Sequence, residues 1–232
     1  MEKALVTLAI GLPEEECRTH AIFEAYARRH GLELVILDTP RFRIRPNLLI
    51  KRRVQFHVEK FQLREILERF DRVLFLDSDI ILHPGCPDLL GLVPSGRLGC
   101  VYDDLGGEAW KRREELERMA ARLGPLPEGN RRYFNTGVMV LDASHRGLFR
   151  MDRKAFVRGR WPEQTLLNYR SLQAGLPLEV LDPTYNFMPD GGNGWNLEAR
   201  RREAMVVHYA GQASKAVMLR DLDKRLQDWG LA

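Results

Sequence analysis

Asp77 and Asp79 stand two residues apart inside RVLFLDSDIIL (Arg72–Leu82), the most apolar stretch of the chain. Aspartate is depleted in strands and rarely buried without a partner, so the pair needs a reason to be there. On an extended chain, residues i and i+2 point to the same side. The two carboxylates can then offer oxygen ligands to one hard divalent cation, Mg2+ or Mn2+. A cation so held would neutralise a diphosphate. The competing reading is a helix cap or a solvated loop. Ligands of open α/β sheets bind beyond the carboxyl ends of the strands, and the pair directly follows the apolar run Val73–Leu76.

Three further stretches carry polar groups in apolar surroundings. In YFNTGVMVLD (Tyr133–Asp142), Asn135 to Gly137 reads as a turn, or as a break in a strand pair or bulged strand. In WPEQTLLN (Trp161–Asn168), Glu163 and Gln164 open a helix, where an acid also suits the helix dipole. In VVHYAG (Val206–Gly211), His208 ends a short strand, as a structural histidine or as a nitrogen ligand beside two carboxylates.

The elements that position these groups follow from periodicity and punctuation. ALVTLAI (Ala4–Ile10), LELVILD (Leu32–Asp38), RVLFL and RLGCVY (Arg97–Tyr102) read as strands, and MVVHY (Met205–Tyr209) as a short late one. A helix is expected from Pro13 to Gly31, with acids in its first turn, Arg and His in its last, and a glycine stop. Further helices are expected over Val54–Phe70, over 107–124, from near Pro162, and over Val217–Trp229. This alternation predicts an α/β fold with a mixed, mainly parallel sheet flanked by helices.

Composition narrows the class. A chain of 232 residues is most simply one domain, and 44% apolar with 29% charged residues is ordinary for a soluble protein. No run approaches the ~20 apolar residues of a membrane helix, and MEKALVTLAIG lacks the pattern of a signal peptide. Cys17, Cys86 and Cys100, odd in number and widely spaced, form neither a disulfide framework nor a metal knuckle, so a cytoplasmic location is expected. The net charge of +4 comes from nearly balanced acids and bases, which does not imply nucleic-acid binding. The basic stretch Arg41–Arg53 is a solvated loop or a rim attracting an anionic substrate. PDGGNGWN (Pro189–Asn196) suits a mobile loop or a surface turn. The last helix is amphipathic; contact with a membrane surface is conceivable, and packing on the sheet is the expected use.

Taken in order, DRVLFLDSDIIL, RRYFNTGVMVLD, WPEQTLLN and VVHYAG resemble the motifs of family 8 glycosyltransferases, the family of glycogenin and bacterial lipopolysaccharide galactosyltransferases. The resemblance runs from VTLA to His208. It implies a GT-A fold, a nucleotide-diphosphate sugar donor, a divalent cation (Mn2+ or Mg2+), and transfer of a hexose with retention of configuration. Asp77 and Asp79 match the family's metal-binding D-x-D, and His208 its third ligand. Leu8 and Ile10 fall where the base is cradled, and Ser78 between the two acids is grouped with the donor. Lys60 falls on a basic position that contacts donor phosphates in relatives; a solvated helix lysine is its alternative. Asn135 would reach the donor sugar, with Gly137 allowing close passage, and Gln164 would lie near the anomeric carbon beside Glu163. Asp103 and Asp104 follow a strand where relatives hold sugar or acceptor hydroxyls, with Asp104 assigned to the catalytic set. Gly211 would approach a phosphate, and Lys215 would clamp the diphosphate, although it lies one residue late and the family's Pro-Trp pair is missing. Tyr185–Phe187 matches a structural motif. Residues 1–102 would form the nucleotide and metal half, and 103–232 the half for sugar and acceptor.

The expected partners are a nucleotide-diphosphate sugar, on this reading a UDP-sugar, and an acceptor that is a saccharide, a lipid-linked group or a protein. Two other readings remain open on the residues alone. A haloacid-dehalogenase-like phosphatase also ends a strand in D-x-D and uses Mg2+, but it leaves FNTG and HYAG unexplained. A binding module without turnover has no need for a cation site.

Overall fold

The computed structural model describes residues 1–42, 54–104, 109–129, 131–152, 155–156, 159–189, 203–210 and 215–232, with backbone only at Val54, Gln55 and Lys215. Its strands, in chain order, are β1 (Lys3–Leu8), β2 (Glu33–Leu37), β3 (Arg72–Leu76), β4 (Ile80–Leu82), β5 (Leu98–Tyr102), β6 (Phe134–Asp142), β7 (Leu178–Val180) and β8 (Val206–His208). Six of them form one sheet in the order β2-β1-β3-β6-β5-β7. Only β6 runs against the others: it is antiparallel to both β3 and β5, while the remaining pairings are parallel. The sheet is thus mixed and mainly parallel, as the strand–helix alternation predicts.

The longer helices are α1 (Thr19–His30), α2 (Leu63–Arg69), α3 (Ala109–Leu123), α4 (Pro162–Gln173) and α5 (Lys215–Asp228). They cover both faces. Leu5, Leu74 and Leu76 pack with Ile22, Phe23 and Tyr26 of α1 and with Met218 and Leu222 of α5. Val6, Val73 and Phe75 pack on the other face with Phe61, Ile66, Leu116 and Leu166. A central strand buried on both faces reads as a continuous apolar run, which is why Val73–Leu76 carries no polar residue. The apolar face of α5 is used in packing, and no helix among the described residues is long and apolar enough to cross a membrane.

Three departures from the expected elements shape the site. The first long helix is interrupted at Arg18, where the Thr19 hydroxyl bonds back to the Glu16 carbonyl (3.0 Å) and across to Ser78 O (3.1 Å). The helix over Val54–Phe70 tightens into a 3-10 segment at Val58–Gln62, whose five residues are all buried, Glu59, Lys60 and Gln62 included. Asn135–Gly137 is not a turn or a strand pair; it belongs to the single nine-residue strand β6, whose register shift against β5 agrees with the bulged-strand reading. The three-residue strands β4 and β7 have too few positions to show a period and were not expected.

Register carries the motifs together. Leu76 pairs with Val138, so Phe134–Gly137 runs past the end of β3 and lies beside Asp77, whose N–H donates to Gly137 O (2.8 Å). β4 then leaves the main sheet and pairs antiparallel with β8, which sets Ile80 opposite His208. The Asn168 amide of α4 holds the β6 overhang: Oδ1 accepts from Phe134 N, and Nδ2 donates to Phe134 O, both at 2.8 Å. Asn168→Ala would leave a buried donor and a buried acceptor without partners. We expect a loss of about 2–4 kcal/mol in chemical denaturation; a change below about 1 kcal/mol would contradict this docking.

Candidate active site

Asp77, Asp79 and His208 meet at the carboxyl end of β3, each with one ligand atom within 4.8 Å of the others. His208 Nε2 lies 3.2 Å from Asp79 Oδ1 and 3.9 Å from Asp77 Oδ2. Pairing of Ile80 with His208 fixes this approach, reinforced by Tyr209 N donating to Asp79 O (2.8 Å).

The tautomer of His208 follows from one backbone group. Gly137 N–H can only donate, and it donates to Asn135 Oδ1 (2.7 Å). The same oxygen accepts from Asn186 Nδ2 (3.0 Å). Asn186 therefore turns its Oδ1 to His208 Nδ1 (3.0 Å), and that nitrogen carries the hydrogen. In the neutral ring, the bare lone pair of Nε2 then faces two carboxylate oxygens. Such an arrangement asks for a positive charge between them. A proton serves: burial lowers the His208 pKa, but Asp79 raises it further, to a net value above that of an ordinary histidine. A divalent cation serves as well, and the donor set of two carboxylates and one imidazole fits Mn2+ or Mg2+. Gly137 also makes room for the imidazole. A Cβ on it would sit 2.3 Å from His208 Cε1.

Lys60 is not a solvated helix lysine; it is 2% exposed. Its Nζ lies 3.0 Å from Asp77 Oδ2, 3.1 Å from Glu163 Oε1, 3.1 Å from Thr136 Oγ1 and 3.3 Å from Thr136 O. Burial opposes the charge, yet Asp77 and Glu163 outweigh it and lift the pKa to about 12. Glu163 is pushed up by burial and pulled below the usual carboxylate range by Lys60. Gln164 is fixed at both ends: Oε1 accepts from Thr136 N (3.0 Å), and Nε2 donates to Asp103 Oδ2 (3.1 Å). Of the two neighbouring acids, the structure brings Asp103 to Gln164. Asp104 is turned away, gripped by Arg132 Nε (2.9 Å) and Tyr133 N (2.9 Å).

A cleft of about 340 Å³ opens beside this centre. Leu8, Ile10, Asp77, Ser78 and Asp79, all singled out in the sequence, line it together with Phe56 and His57. Gly11 has φ 65°, and the Phe56 ring lies over it, 2.8 Å from where a Cβ would stand. Phe56, Thr136 and Asn186 escaped the sequence reading; only the polar break in FNTG and the YNF match hinted at the last two. Gly211, the Lys215 side chain, Trp195 and the basic loop beyond Phe42 lie outside the described residues.

Similarity to known proteins agrees with this geometry. A glycosyltransferase involved in glycosylation of the major capsid of PBCV-1 matches with a TM-score of 0.63 at 14% identity, over 96% of this chain and 100% of that one. The galactosyltransferase LgtC, solved with donor and acceptor sugar analogs, matches with a TM-score of 0.60 at 15% identity, over 98% and 95%. The bifunctional glycosyltransferase WbbM, in its apo form, matches with a TM-score of 0.60 at 13% identity, over 99% and 51%. No curated protein matches the sequence. The fold is therefore that of the GT-A nucleotide-sugar transferases. Residues 57–216 match glycosyl transferase family 8, and the chain belongs to that family. It is a glycosyltransferase, which sets aside both the phosphatase and the binding-module readings.

Among the described residues, Asn186 meets the candidate cation site through His208. Asn186→Ala should weaken Mn2+ binding by roughly 10- to 100-fold, the usual effect of losing a partner that orients a ligating histidine. Titration followed by electron paramagnetic resonance reads this, and an unchanged affinity would contradict the relay.

Proposed function

We propose that this glycosyltransferase moves a hexose from a nucleoside diphosphate sugar, a UDP-sugar on this reading, to a saccharide acceptor with retention of configuration, using Mn2+ or Mg2+. One observation carries the proposal: Asp77 and Asp79, which meet His208, line an apolar-sided cleft, and Asp77 joins them to the buried Lys60–Glu163 pair behind it. LgtC, of the same fold, was solved with donor and acceptor sugar analogs, which supports the same pair of substrates here.

Leu8, Ile10 and the exposed ring of Phe56 suit a flat nucleotide base, with Ser78 at the boundary towards the phosphates. Asp77, Asp79 and His208 would hold the cation, which when bound supplies positive charge to stabilise the departing diphosphate. Lys60 would act from beneath, because its ammonium is engaged by Asp77 and Glu163 and adds fixed positive charge close to the leaving group. Asn135 has spent its oxygen on Gly137 and Asn186, whereas its Nδ2 faces the weak acceptor Met188 Sδ at 3.6 Å and the carboxylate of Asp103. That N–H pair is the group we assign to the donor sugar. Gln164, clamped at both ends, gives the sugar a wall that does not rotate.

Retention needs a covalent intermediate or attack from the face that the leaving group vacates. Glu163 is 4% exposed and bound to Lys60 and Thr136, and Asp103 is held by Arg112 and Gln164. Neither carboxylate is free to be a nucleophile, which supports same-face attack. On this reading residues 1–102 carry the donor and 103–232 the sugar and acceptor, with His208 reaching back to complete the cation centre.

Release of free hexose from a panel of nucleotide-sugars with Mn2+ tests the proposal. Asp79→Asn should abolish it. Gln164→Ala should lower turnover by about 10- to 1000-fold while nucleotide affinity stays near wild type. Equal turnover in a chelator, or a silent Gln164→Ala, would overturn it.

A further inference from the structure

Beyond Gln164 lies a second cavity, of about 230 Å³, lined by Arg112, Arg113, Arg131, Arg132, Asp104 and Tyr133 among others. We propose that it is the acceptor subsite, and that the acceptor is a saccharide carrying a phosphate group. The proposal rests on the glycosyltransferase reading above and names the acceptor class for it.

Charge is the first argument. Among the described residues, four guanidiniums gather there against two carboxylates, those of Asp103 and Asp104, a surplus of two positive charges. A phosphate monoester is close to a dianion at neutral pH, and the guanidinium fork matches its oxygens. A nucleic acid would need a basic stripe along the surface rather than one enclosed cluster.

Preorganisation is the second. Arg112 lies 4.0 Å over the Trp161 ring while its Nη2 meets Asp103 Oδ1 at 3.2 Å. Arg132 lies 3.9 Å over the Tyr102 ring and grips Asp104 through Nε (2.9 Å) and Nη2 (2.7 Å). Both heads are thus fixed before any ligand arrives. Arg113 and Arg131 are exposed at the rim. The third argument is a local cost. Lys111 and Arg112 stand in the first turn described for α3, which holds no acid, and Arg113 follows them. Cations there oppose the helix dipole, and a bound anion would relieve both the dipole and their mutual repulsion.

Position makes the cavity an acceptor site rather than a general anion site. Asp103 joins Arg112 on one side and the Gln164 amide on the other, at 3.1 Å. A phosphate held by the arginines would leave the rest of its sugar lying towards Gln164, where we assign the donor hexose.

The test is calorimetric titration of the wild type and of Arg113→Gln/Arg131→Gln with D-glucose 6-phosphate, D-glucose 1-phosphate and methyl α-D-glucopyranoside. Saturating UDP and Mn2+ keep the donor site filled. At least one phosphorylated probe should bind tenfold or more tightly than the neutral glucoside, and that preference should vanish in the double variant. A preference for the 6-phosphate marks a phosphorylated saccharide; one for the 1-phosphate marks an acceptor linked through its anomeric phosphate, as to a lipid carrier. Equal binding of all three sugars, or an unaltered preference in the double variant, overturns the proposal. Hexose release from UDP-hexose by the wild type reads the donor site separately. Release without phosphate preference removes the acceptor assignment alone. Phosphate preference without release keeps the anion site and removes the donor reading.

Discussion

One buried ammonium organises this active site. Removing a lysine head from water costs several kcal/mol unless opposite charge and acceptors replace the lost hydration. At 2% exposure, Lys60 meets that demand with Asp77, Glu163 and both oxygens of Thr136. These partners come from the end of β3, the overhang of β6 and the first turn of α4. The three segments must close around the ammonium together, so the D-x-D, F-N-T-G and E-Q motifs form one unit. The 3-10 turn at Val58–Gln62 tightens the chain where the lysine enters and buries Glu59 and Gln62 with it.

A second constraint starts from the polarity of a single N–H. Gly137 orients Asn135, Asn135 orients Asn186, and Asn186 leaves the lone pair of His208 facing Asp77 and Asp79. Gly137 also vacates the space that the imidazole fills. Lys60 therefore sets the carboxylates from one side, and the amide relay sets the histidine from the other. Both hold charged groups at fixed positions, as preorganised electrostatics requires.

Much of this was legible in the sequence because it is local. The apolar run Val73–Leu76 declared a doubly covered central strand, the glycine after His30 ended α1, and Pro162 opened α4. The two acids and His208 stood out by residue type, and Leu8 with Ile10 through the family resemblance; the structure sets the acids, Leu8 and Ile10 along one cleft, with His208 beside the acids. What stayed hidden is non-local. A lysine on a helix carries no mark of burial, and only the fold shows that α4 and β6 enclose Lys60. Asn186 joins residues 51 positions before it and 22 positions after it. Asp103 and Asp104 are chemically alike in sequence, yet opposite side-chain directions send one to Gln164 and the other to Arg132.

The central claim is that the Lys60 ammonium keeps Glu163 charged inside the protein, and the Lys60→Met variant tests it most directly. In the wild type, Glu163 has a lowered pKa. It therefore contributes stability above the ordinary carboxylate value, and that stability is lost as the pH falls through the folded value. Without the ammonium, the largest influence lowering the Glu163 pKa is gone while burial still raises it, so the variant loses stability relative to the wild type as the pH climbs. Denaturation of both proteins from about pH 4 to pH 7 should show the stability gap widening as the pH rises. A gap that stays constant across this range, or that is absent, would contradict the account.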